Sequence, residues 1–326
     1  YINTYYTVKE PGNRWTNLLE CHEMYCAGHL IEAAVSYYEG TGKRKLLEIA
    51  CRFADYIDSV FGPEPEKLKG YDGHEEIELA LAKLFKVIGN ERYMRLLTFL
   101  MDERGKKPYY FIEEWKKRGG ISHWQKGVSS EPDMAYNQAH KPVREQTEAV
   151  GHAVRAVYLY TAMADMAALT GDERLSSACR TLWDNIVNKR MYITGGIGST
   201  YQGEAFTFDY DLPNDTAYQE TCASIGLIFF ANRMLKLEPH GKYADVMERA
   251  LYNSVISGMA QDGKRFFYVN PLEVLPEACM KDPGKRHVKP VRQRWYGCAC
   301  CPPNISRLLS SLGGYIYTTN ENTIYT

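Results

Sequence analysis

The chain has 326 residues, 45% of them hydrophobic and 24% charged, which are ordinary values for a folded protein. Its length exceeds twice the roughly 150 residues of an average domain and predicts either one large single-core fold or two ordinary domains. The 39 Lys and Arg residues nearly balance the 40 Asp and Glu residues, which disfavours a nucleic-acid partner. No run of about 18 apolar residues occurs, and this excludes a transmembrane helix.

The nine cysteines are odd in number and bunched along the chain. This usage argues against a disulfide framework and favours reduced thiols or a metal site, so a reducing, cytoplasmic compartment is predicted. The chain starts at Tyr1 rather than Met and stops within the strand-like stretch from Tyr315 to Thr326. It is interpreted as a fragment, and because its N-terminus is absent the sequence leaves secretion open.

From Trp15 to about Ser257 the pattern is helical and is punctuated by a recurring glycine turn. A glycine just past a helix end is the usual stop signal, and a short connection makes the flanking helices antiparallel. The predicted turns lie at Gly42, Gly89, Gly171 and Gly241. The predicted first helices of the pairs span 16–40, 74–88, 148–170 and 217–237, and the second helices span 43–61, 90–103, 172–189 and 242–258.

The first and second helices of these pairs differ in polarity. First helices such as AVGHAVRAVYLYTAMADMAAL are apolar nearly all round, as expected of a helix buried between layers. The second helices carry a charged face. An inner and an outer ring of helices therefore predict a mainly α fold, an (α/α) barrel built of helical hairpins.

Two segments fall outside the hairpins. The insertion 104–147 is rich in Lys, Arg and aromatic residues, which are able to stack on nucleic acid. The near-neutral charge of the whole chain favours an ordered surface loop instead. The tail alternates large and polar residues around an Asn-rich turn and predicts the start of a β domain.

Three histidines lie near the predicted starts of inner helices. His74 opens the second of these helices, His152 lies one turn into the third, and His22 lies about two turns into the first. If the inner helices run parallel, their starts meet at one end of the barrel, where helix dipoles favour thiolates and bound anions. For any one histidine alone, a hydrogen-bonded core or surface residue is the plainer interpretation, and only the shared placement favours a site.

The cysteine cluster GCACCPPN contains Cys298, Cys300 and Cys301, and its two prolines favour the first turn of a helix. Zinc prefers thiolate, imidazole and carboxylate ligands in a tetrahedron. Glu220 and Cys222, at the predicted start of the fourth inner helix, complete a set of four with the Cys300–Cys301 pair. The alternative is three small buried thiols beside a turn.

The segment between the third and fourth hairpins is rich in acids. Its candidate acids are Glu204, Asp209, Asp211, Asp215 and Glu220. The run GGIGST lacks the lysine and the preceding strand of a phosphate loop, so a glycine-hinged active-site loop is the favoured interpretation. The three aspartates could instead bind calcium through their oxygens, although no EF-hand loop is present.

At GGIGSTYQGEAF, AYQETCAS and CCPPN the sequence resembles glycoside hydrolase family 127, the β-L-arabinofuranosidases. The resemblance covers nearly the whole chain, from CHEMYCAGHLIEAA to GCACCPPNISRLL. It implies an (α/α)6 barrel followed by β-sandwich domains. On this basis residues 1–312 are the catalytic barrel with its N-terminal part missing, and residues 313–326 begin a β-sandwich.

The resemblance also assigns roles to residues. Glu204 in QGEAF resembles the general acid/base of the family, and Cys300 resembles its nucleophile. The implied Zn²⁺ ligands are Glu220, Cys222, Cys300 and Cys301. The positions that look like sugar-binding residues of the family are His22, His74, His152 and Tyr268.

The implied reaction is a retaining double displacement that releases β-L-arabinofuranose, or a related pentofuranose, from glycans. In a retaining site the Glu204 carboxyl and the Cys300 sulfur should lie roughly 5 Å apart. One alternative is a sugar isomerase or epimerase that uses His22, His74 and His152 as acid and base. Another is a carbohydrate-binding scaffold with a structural zinc, since four protein ligands leave no open position.

The expected partner is a carbohydrate, an arabinofuranoside-containing glycan or disaccharide. Neither a nucleic acid nor a membrane is expected to bind. A homodimer is compatible with the sequence.

Overall fold

The computed structural model of the chain describes residues 1–125, 127–319 and 324–325. It is mainly helical and divides into two compact units, Tyr1–Glu145 and Gln146–Thr326. Within these described ranges, no helix combines the length and the apolar character needed to cross a bilayer. The Asn-rich turn predicted in the tail lies outside the described residues.

The first unit consists mainly of helices that follow one another closely along the chain. They are α1 (Thr4–Val8), α2 (Glu23–Thr41), α3 (Lys45–Val60), α4 (Ile77–Ile88), α5 (Glu91–Glu103) and α6 (Tyr110–Lys117). Helix α2 packs against α3 and α4, and α4 packs against α5. The insertion that the sequence predicts as a surface loop therefore contains a helix, α6.

The second unit contains further helices and a short strand pair. They are α7 (Ala153–Thr170), α8 (Glu173–Asn185), α9 (Thr221–Leu237), α10 (Gly241–Ala250), α11 (Pro276–Lys281), α12 (Cys301–Ser310), β1 (Thr318–Thr319) and β2 (Ile324–Tyr325). Helix α9 packs against α7, α10 and α12. The strands pair antiparallel, as the strand-like tail predicts.

Helices α7 and α9 form the core of the second unit. Nearly every residue of both helices is buried, whereas α8 and α10 bury one face. Charged groups inside this core are paired, since Arg233 Nε on α9 donates to Asp165 Oδ2 on α7 over 3.1 Å. The predicted contrast between apolar inner helices and amphipathic outer helices is confirmed in this unit.

Three of the four predicted glycine turns end a helix. Gly42, Gly89 and Gly171 lie in the left-handed region, at φ +71°, +71° and +69°, which is the usual conformation of a helix C-terminus. The N–H of each glycine bonds back to the carbonyl of the last helical turn. The sequence signal and the backbone conformation agree at these positions because glycine has no Cβ to clash there.

The predicted role of Gly241 as a helix stop is wrong. Helix α9 ends at Leu237, and Gly241 is the first residue of α10. His240 caps that helix, with Nδ1 accepting from the N–H of Lys242 over 3.1 Å. Because His240 caps the N-terminus of α10, Gly241 begins this helix and does not end α9.

Gly171→Ala is expected to lower the free energy of unfolding by about 1 kcal/mol, because alanine is strained in the left-handed region. Lack of space is not the cause, since a Cβ at Gly171 would meet no atom within 4 Å. Gly241→Ala is the matched control, equally open but helical, and should leave stability unchanged or raise it by up to about 1 kcal/mol. Denaturant unfolding of both variants measures the difference, and equal effects would contradict it.

The chain before α2 is shaped by the buried carboxylate of Glu114. Its oxygens accept from the backbone N–H groups of Leu18 (2.7 Å) and Leu19 (3.2 Å), which holds this stretch out of the helix. Helix α2 therefore begins only at Glu23, and His22 is its N-cap residue at φ +26°. The prediction that His22 lies about two turns inside the helix is therefore wrong. The apolar pattern extends over the turn before Glu23, but Glu114, a residue distant in sequence, stabilises that turn and keeps it out of the helix.

The other two histidines also lie outside their helices. His152 is the N-cap residue of α7, where its Nδ1 accepts from the N–H of Val154 over 3.2 Å. His74 precedes Glu76, the N-cap residue of α4, instead of opening the helix. Both histidines were predicted inside a helix, and both instead lie before its first residue, at the helix N-terminus.

The buried carboxyl group of Glu114 is expected to make the free energy of unfolding depend on pH. Burial raises the pKa of Glu114 to about 7, so the folded state binds a proton that the unfolded state releases near its ordinary pKa. The favourable contribution is complete in acid and is lost as the pH rises through 7, at a cost of up to ~3 kcal/mol. Glu114→Gln should flatten this part of the profile, which lies between the ordinary pKa of 4.5 and the raised pKa of about 7.

The measurement is the unfolding free energy of wild type and variant against pH, compared with Glu113→Gln. Glu113 is the exposed neighbour that pairs with Lys116, and its removal should leave the slope unchanged. An unaltered slope for Glu114→Gln would show that this carboxyl is not the titrating group.

Candidate active site and metal centre

Four side chains predicted as metal ligands come together in the second unit. One ligand atom from each of Glu220, Cys222, Cys300 and Cys301 lies within 4.8 Å of those of the others. Glu220 caps α9 and Cys222 lies in its first turn, while Cys300 caps α12 and Cys301 begins it. Two helix N-termini thus present two ligands each, and their dipoles favour the ionised forms.

The distances within this group fit a shared ion. The Sγ of Cys301 lies 3.7 Å from the Sγ of Cys222 and 3.7 Å from the Sγ of Cys300. A disulfide requires a spacing of about 2 Å, whereas an ion about 2.3 Å from each sulfur of a tetrahedron spaces the sulfurs by about 3.8 Å. Cys300 Sγ also lies 3.4 Å from Glu220 Oε1, so this carboxyl would be within reach of an ion held by the sulfurs.

The raised pKa values in this group are compatible with a bound cation. Burial raises the pKa of the Cys222 thiol, and contact with Cys222 raises the pKa of Cys300. Burial and the nearby Glu204 carboxylate raise the pKa of Glu220. Acids crowded in a buried site stay protonated unless positive charge compensates them, and metal binding releases their protons. The four residues therefore fit a metal ion.

Tyr268 is brought to this group by a short backbone pairing. The N–H of Thr221 donates to the carbonyl of Tyr268 over 2.9 Å, and Glu220 and Val269 form an antiparallel bridge. The Tyr268 hydroxyl lies 3.2 Å from Cys300 Sγ. This side chain is therefore placed to donate a hydrogen bond to a thiolate at Cys300.

Glu204 is presented by a tight turn. Gly203 and Glu204 lie in the left-handed region, at φ +71° and +56°. The next residue, Ala205, forms a bridge with His152, which anchors the turn beside the N-terminus of α7. His152 Nε2 lies 3.2 Å from Glu204 Oε2. A non-glycine residue with positive φ is strained, and such strain is common at functional sites.

The histidine that contacts Glu204 is a neutral donor. Its Nδ1 accepts from the backbone N–H of Val154, so the single proton of the neutral ring lies on Nε2, which donates to Glu204. Burial lowers the pKa of His152 and favours this neutral form. His152 therefore orients the carboxylate of Glu204 through one hydrogen bond of defined direction.

The acid and the metal-ligand group are contiguous. Ligand atoms of His152, Glu204 and Glu220 lie within 4.8 Å of one another, and Glu220 in turn contacts Cys300. Two carboxyl groups, a histidine and three thiols thus share one largely buried site. This arrangement can supply a general acid/base and a nucleophile to one small substrate.

Other predicted residues are not part of this group. His22 and His74 belong to the first unit, where their ring centroids lie 5.6 Å apart, and their role in sugar binding stays a prediction. Cys298 is exposed and is not among the four ligand residues, but its side chain hydrogen-bonds to Cys300 and Tyr268.

Two of the candidate aspartates are engaged in ion pairs. Asp209 pairs with Lys189 (2.9 Å) and Arg190 (2.7 Å), and Asp215 pairs with Lys285. Among the residues that the structure describes, no metal-ligand group contains these aspartates. These ion pairs, and the lack of any such group around Asp211 among the described residues, disfavour the calcium alternative.

Sequence reasoning missed Tyr218. Its side chain hydrogen-bonds to Glu204, and burial, followed by the charges of Glu204 and Glu220, raises its pKa. Gln219, between Tyr218 and Glu220, lies in the left-handed region at φ +41°, so this segment is not a regular strand. The available signal was the place of Tyr218 in the motif AYQETC, two residues before a predicted ligand.

Comparison with known proteins agrees with this site. The chain matches a family model described as β-L-arabinofuranosidase, GH127 catalytic domain, over residues 1–314. It is 47% identical over 325 residues to a non-reducing end β-L-arabinofuranosidase of Bifidobacterium longum subsp. longum, covering 98% of this chain and 49% of the relative.

Solved structures give the same result. A crystal structure of Ara127N-Se, a GH127 β-L-arabinofuranosidase from Geobacillus stearothermophilus T6, is 61% identical with a TM-score of 0.94, covering 99% of this chain and 50% of that one. A second GH127 β-arabinofuranosidase is 43% identical with a TM-score of 0.82, covering 98% of this chain and 46% of that one.

The chain spans about half the length of these relatives. The predicted fold class, a mainly α fold of the (α/α)6-barrel type, is confirmed by the superposition. Because the family model matches residues 1–314 and the curated relative is 47% identical, the chain belongs to glycoside hydrolase family 127.

Proposed function

We propose that the protein is a retaining glycoside hydrolase that releases β-L-arabinofuranose, or a related pentofuranose, from glycans. The observation that carries the proposal is the contiguity of Glu204, Glu220 and Cys300 in one site. Such a site offers an acid/base and a nucleophile that both neighbour the Glu220 carboxyl. The sugar itself is proposed from the activities of the relatives.

In the proposed first step, Glu204 donates a proton to the glycosidic oxygen while the Cys300 thiolate attacks the anomeric carbon. The carbon–oxygen bond breaks, the alcohol leaves, and a carbon–sulfur bond joins the sugar to Cys300. In the second step Glu204 takes a proton from water, whose oxygen attacks the same carbon and returns the sulfur as thiolate. Two inversions give net retention. The spacing of roughly 5 Å between the Glu204 carboxyl and the Cys300 sulfur stays a prediction.

We propose Zn²⁺ as the metal, held by Glu220, Cys222, Cys300 and Cys301, because three thiolates and one carboxylate are ligands that zinc prefers. When bound, zinc would supply the positive charge that keeps the Cys300 sulfur deprotonated. The Tyr268 hydroxyl and the N-terminus of α12 stabilise negative charge on the same sulfur.

His152 has a positioning role in this proposal. Its Nε2–H group holds one oxygen of Glu204, and its own orientation is fixed by the backbone N–H of Val154. The carboxylate is thereby held in one rotamer next to Glu220. Participation of His22 and His74 in sugar binding is part of the same proposal and rests on the family resemblance.

The test is hydrolysis of a panel of nitrophenyl glycosides by the protein, with β-L-arabinofuranoside, its α anomer and other pentosides, before and after treatment with a chelator. We expect selective release from the β-L-arabinofuranoside, a first product of β configuration by NMR, and loss of activity after chelation. Release from none of the glycosides would overturn the proposal. Interconversion of free sugars that survives chelation would instead favour the isomerase alternative.

Three further assignments are proposals that accompany this function. The catalytic domain extends over residues 1–312, and residues 313–326 begin a β-sandwich. The protein acts in the cytoplasm. It binds a carbohydrate substrate, alone or as a homodimer.

A further inference from the structure

A row of aromatic rings lies beside Glu204 in the second unit. The rings of Tyr201 and His287 are stacked, with centroids 4.8 Å apart and planes at 20°. The rings of Tyr218 and His287 are also stacked, at 5.9 Å and 30°. We name Tyr201, His287 and Tyr218 the aromatic shelf. The steps of the proposed reaction use none of these rings.

The aromatic shelf is attached to Glu204 at both ends. The N–H of Glu204 donates to the carbonyl of Tyr201 over 3.3 Å, because the two residues close one tight turn. At the other end, the side chain of Tyr218 hydrogen-bonds to the Glu204 carboxylate. The position of the shelf is therefore fixed relative to the acid/base.

The middle ring is held by the chain on either side of it. His287 Nε2 hydrogen-bonds to the carbonyl of Thr216 over 3.1 Å, and Lys285 forms an ion pair with Asp215. Val288, which follows His287 in the chain, is buried. Two neighbouring segments are thus clamped together, and His287 supports the ring of Tyr201 as a fixed backing.

The outer ring is available to a ligand. Tyr201 is 41% exposed although one face of its ring stacks on His287. A large, rigid aromatic ring with one face supported loses little conformational entropy on binding and presents an apolar surface. The C–H face of a sugar is a suitable partner for such a surface, since its hydroxyl groups can remain hydrated at the rim.

The chemistry of glycoside hydrolysis identifies which part of a substrate meets the shelf. The acid/base protonates the oxygen that departs with the leaving group, so the leaving group must lie on the Glu204 side of the scissile bond. We propose that the aromatic shelf is a leaving-group subsite that stacks the second sugar ring of the substrate. This inference rests on the proposed glycosidase function and adds the residues that bind the leaving-group sugar of a disaccharide or longer glycan.

The test compares two β-L-arabinofuranosides that differ only in the leaving group, a methyl glycoside and an arabinofuranosyl disaccharide. The readout is the ratio of kcat/KM for the disaccharide to kcat/KM for the methyl glycoside. Tyr201→Ala should lower this ratio about tenfold, mainly through KM, because a stacked ring is lost only for the larger leaving group. Tyr201→Phe keeps the ring and should keep the ratio.

Two further variants complete the design. His287→Leu removes the stacked backing and should lower the ratio in the same direction as Tyr201→Ala. Tyr252→Ala removes an exposed tyrosine (58%) outside the shelf and should leave the ratio at the wild-type value.

An unchanged ratio in both Tyr201→Ala and His287→Leu, with both substrates cleaved by the wild type, would overturn the shelf and leave the glycosidase function intact. Failure of the wild type to cleave either substrate would overturn the proposed function and the shelf together. A lower ratio in Tyr252→Ala as well would show a general surface effect and would also count against the shelf.

Discussion

Cys300→Ser is expected to lower kcat by at least about 10⁴-fold on every β-L-arabinofuranoside, because a serine hydroxyl is far less ionised than a thiol and is a poor nucleophile here. The same substitution removes one of the four ligands of the metal group. Bound metal per chain should therefore fall with activity, since a carboxylate and two thiolates would hold the ion less tightly.

The measurements are steady-state kinetics and metal analysis of the purified protein, with mass spectrometry of the wild type during turnover. A mass increase of one pentosyl group on the peptide containing Cys300 is expected. Cys279→Ser is the control, since Cys279 lies on α11 outside the four-ligand group, and it should retain activity and metal. Activity of Cys300→Ser within tenfold of the wild type would exclude a nucleophilic role for this sulfur.

The second large effect on kcat is expected for Glu204→Gln. We expect kcat to fall by about 10³-fold or more on a methyl glycoside, because the amide cannot protonate the departing oxygen. The first step should be far less impaired with a nitrophenyl leaving group, which departs without protonation. The glycosyl-enzyme on Cys300 should then accumulate, because no base activates the attacking water.

Azide provides the measurement that separates a general acid/base from a merely structural carboxylate. As a strong nucleophile that needs no general base, azide should restore turnover of the nitrophenyl substrate by Glu204→Gln and give a β-configured glycosyl azide. Glu148→Gln, at a 62% exposed side chain paired with Arg190, should behave as the wild type. Equal losses on both substrates without azide rescue would contradict the assignment of Glu204.

Local signals in the sequence were sufficient for the helical hairpins and for the identity of the chemical groups. The glycines at 42, 89 and 171 end helices because the left-handed conformation is a property of the residue and its nearest neighbours. The apolar character of α7 and α9 likewise indicates burial without knowledge of their partners. The family motifs named Glu204 and the four ligand residues by local sequence alone.

Tertiary structure decided what depends on contacts between residues distant in sequence. Glu114 acts on the turn before α2 from almost a hundred residues away, so apolar periodicity overextended that helix. The pairing of Tyr218 with Glu204 and the stack of Tyr201 on His287 also join separate loops. Helix periodicity and turn signals act over a few residues, whereas a site is assembled by chain segments whose proximity only the packed fold establishes.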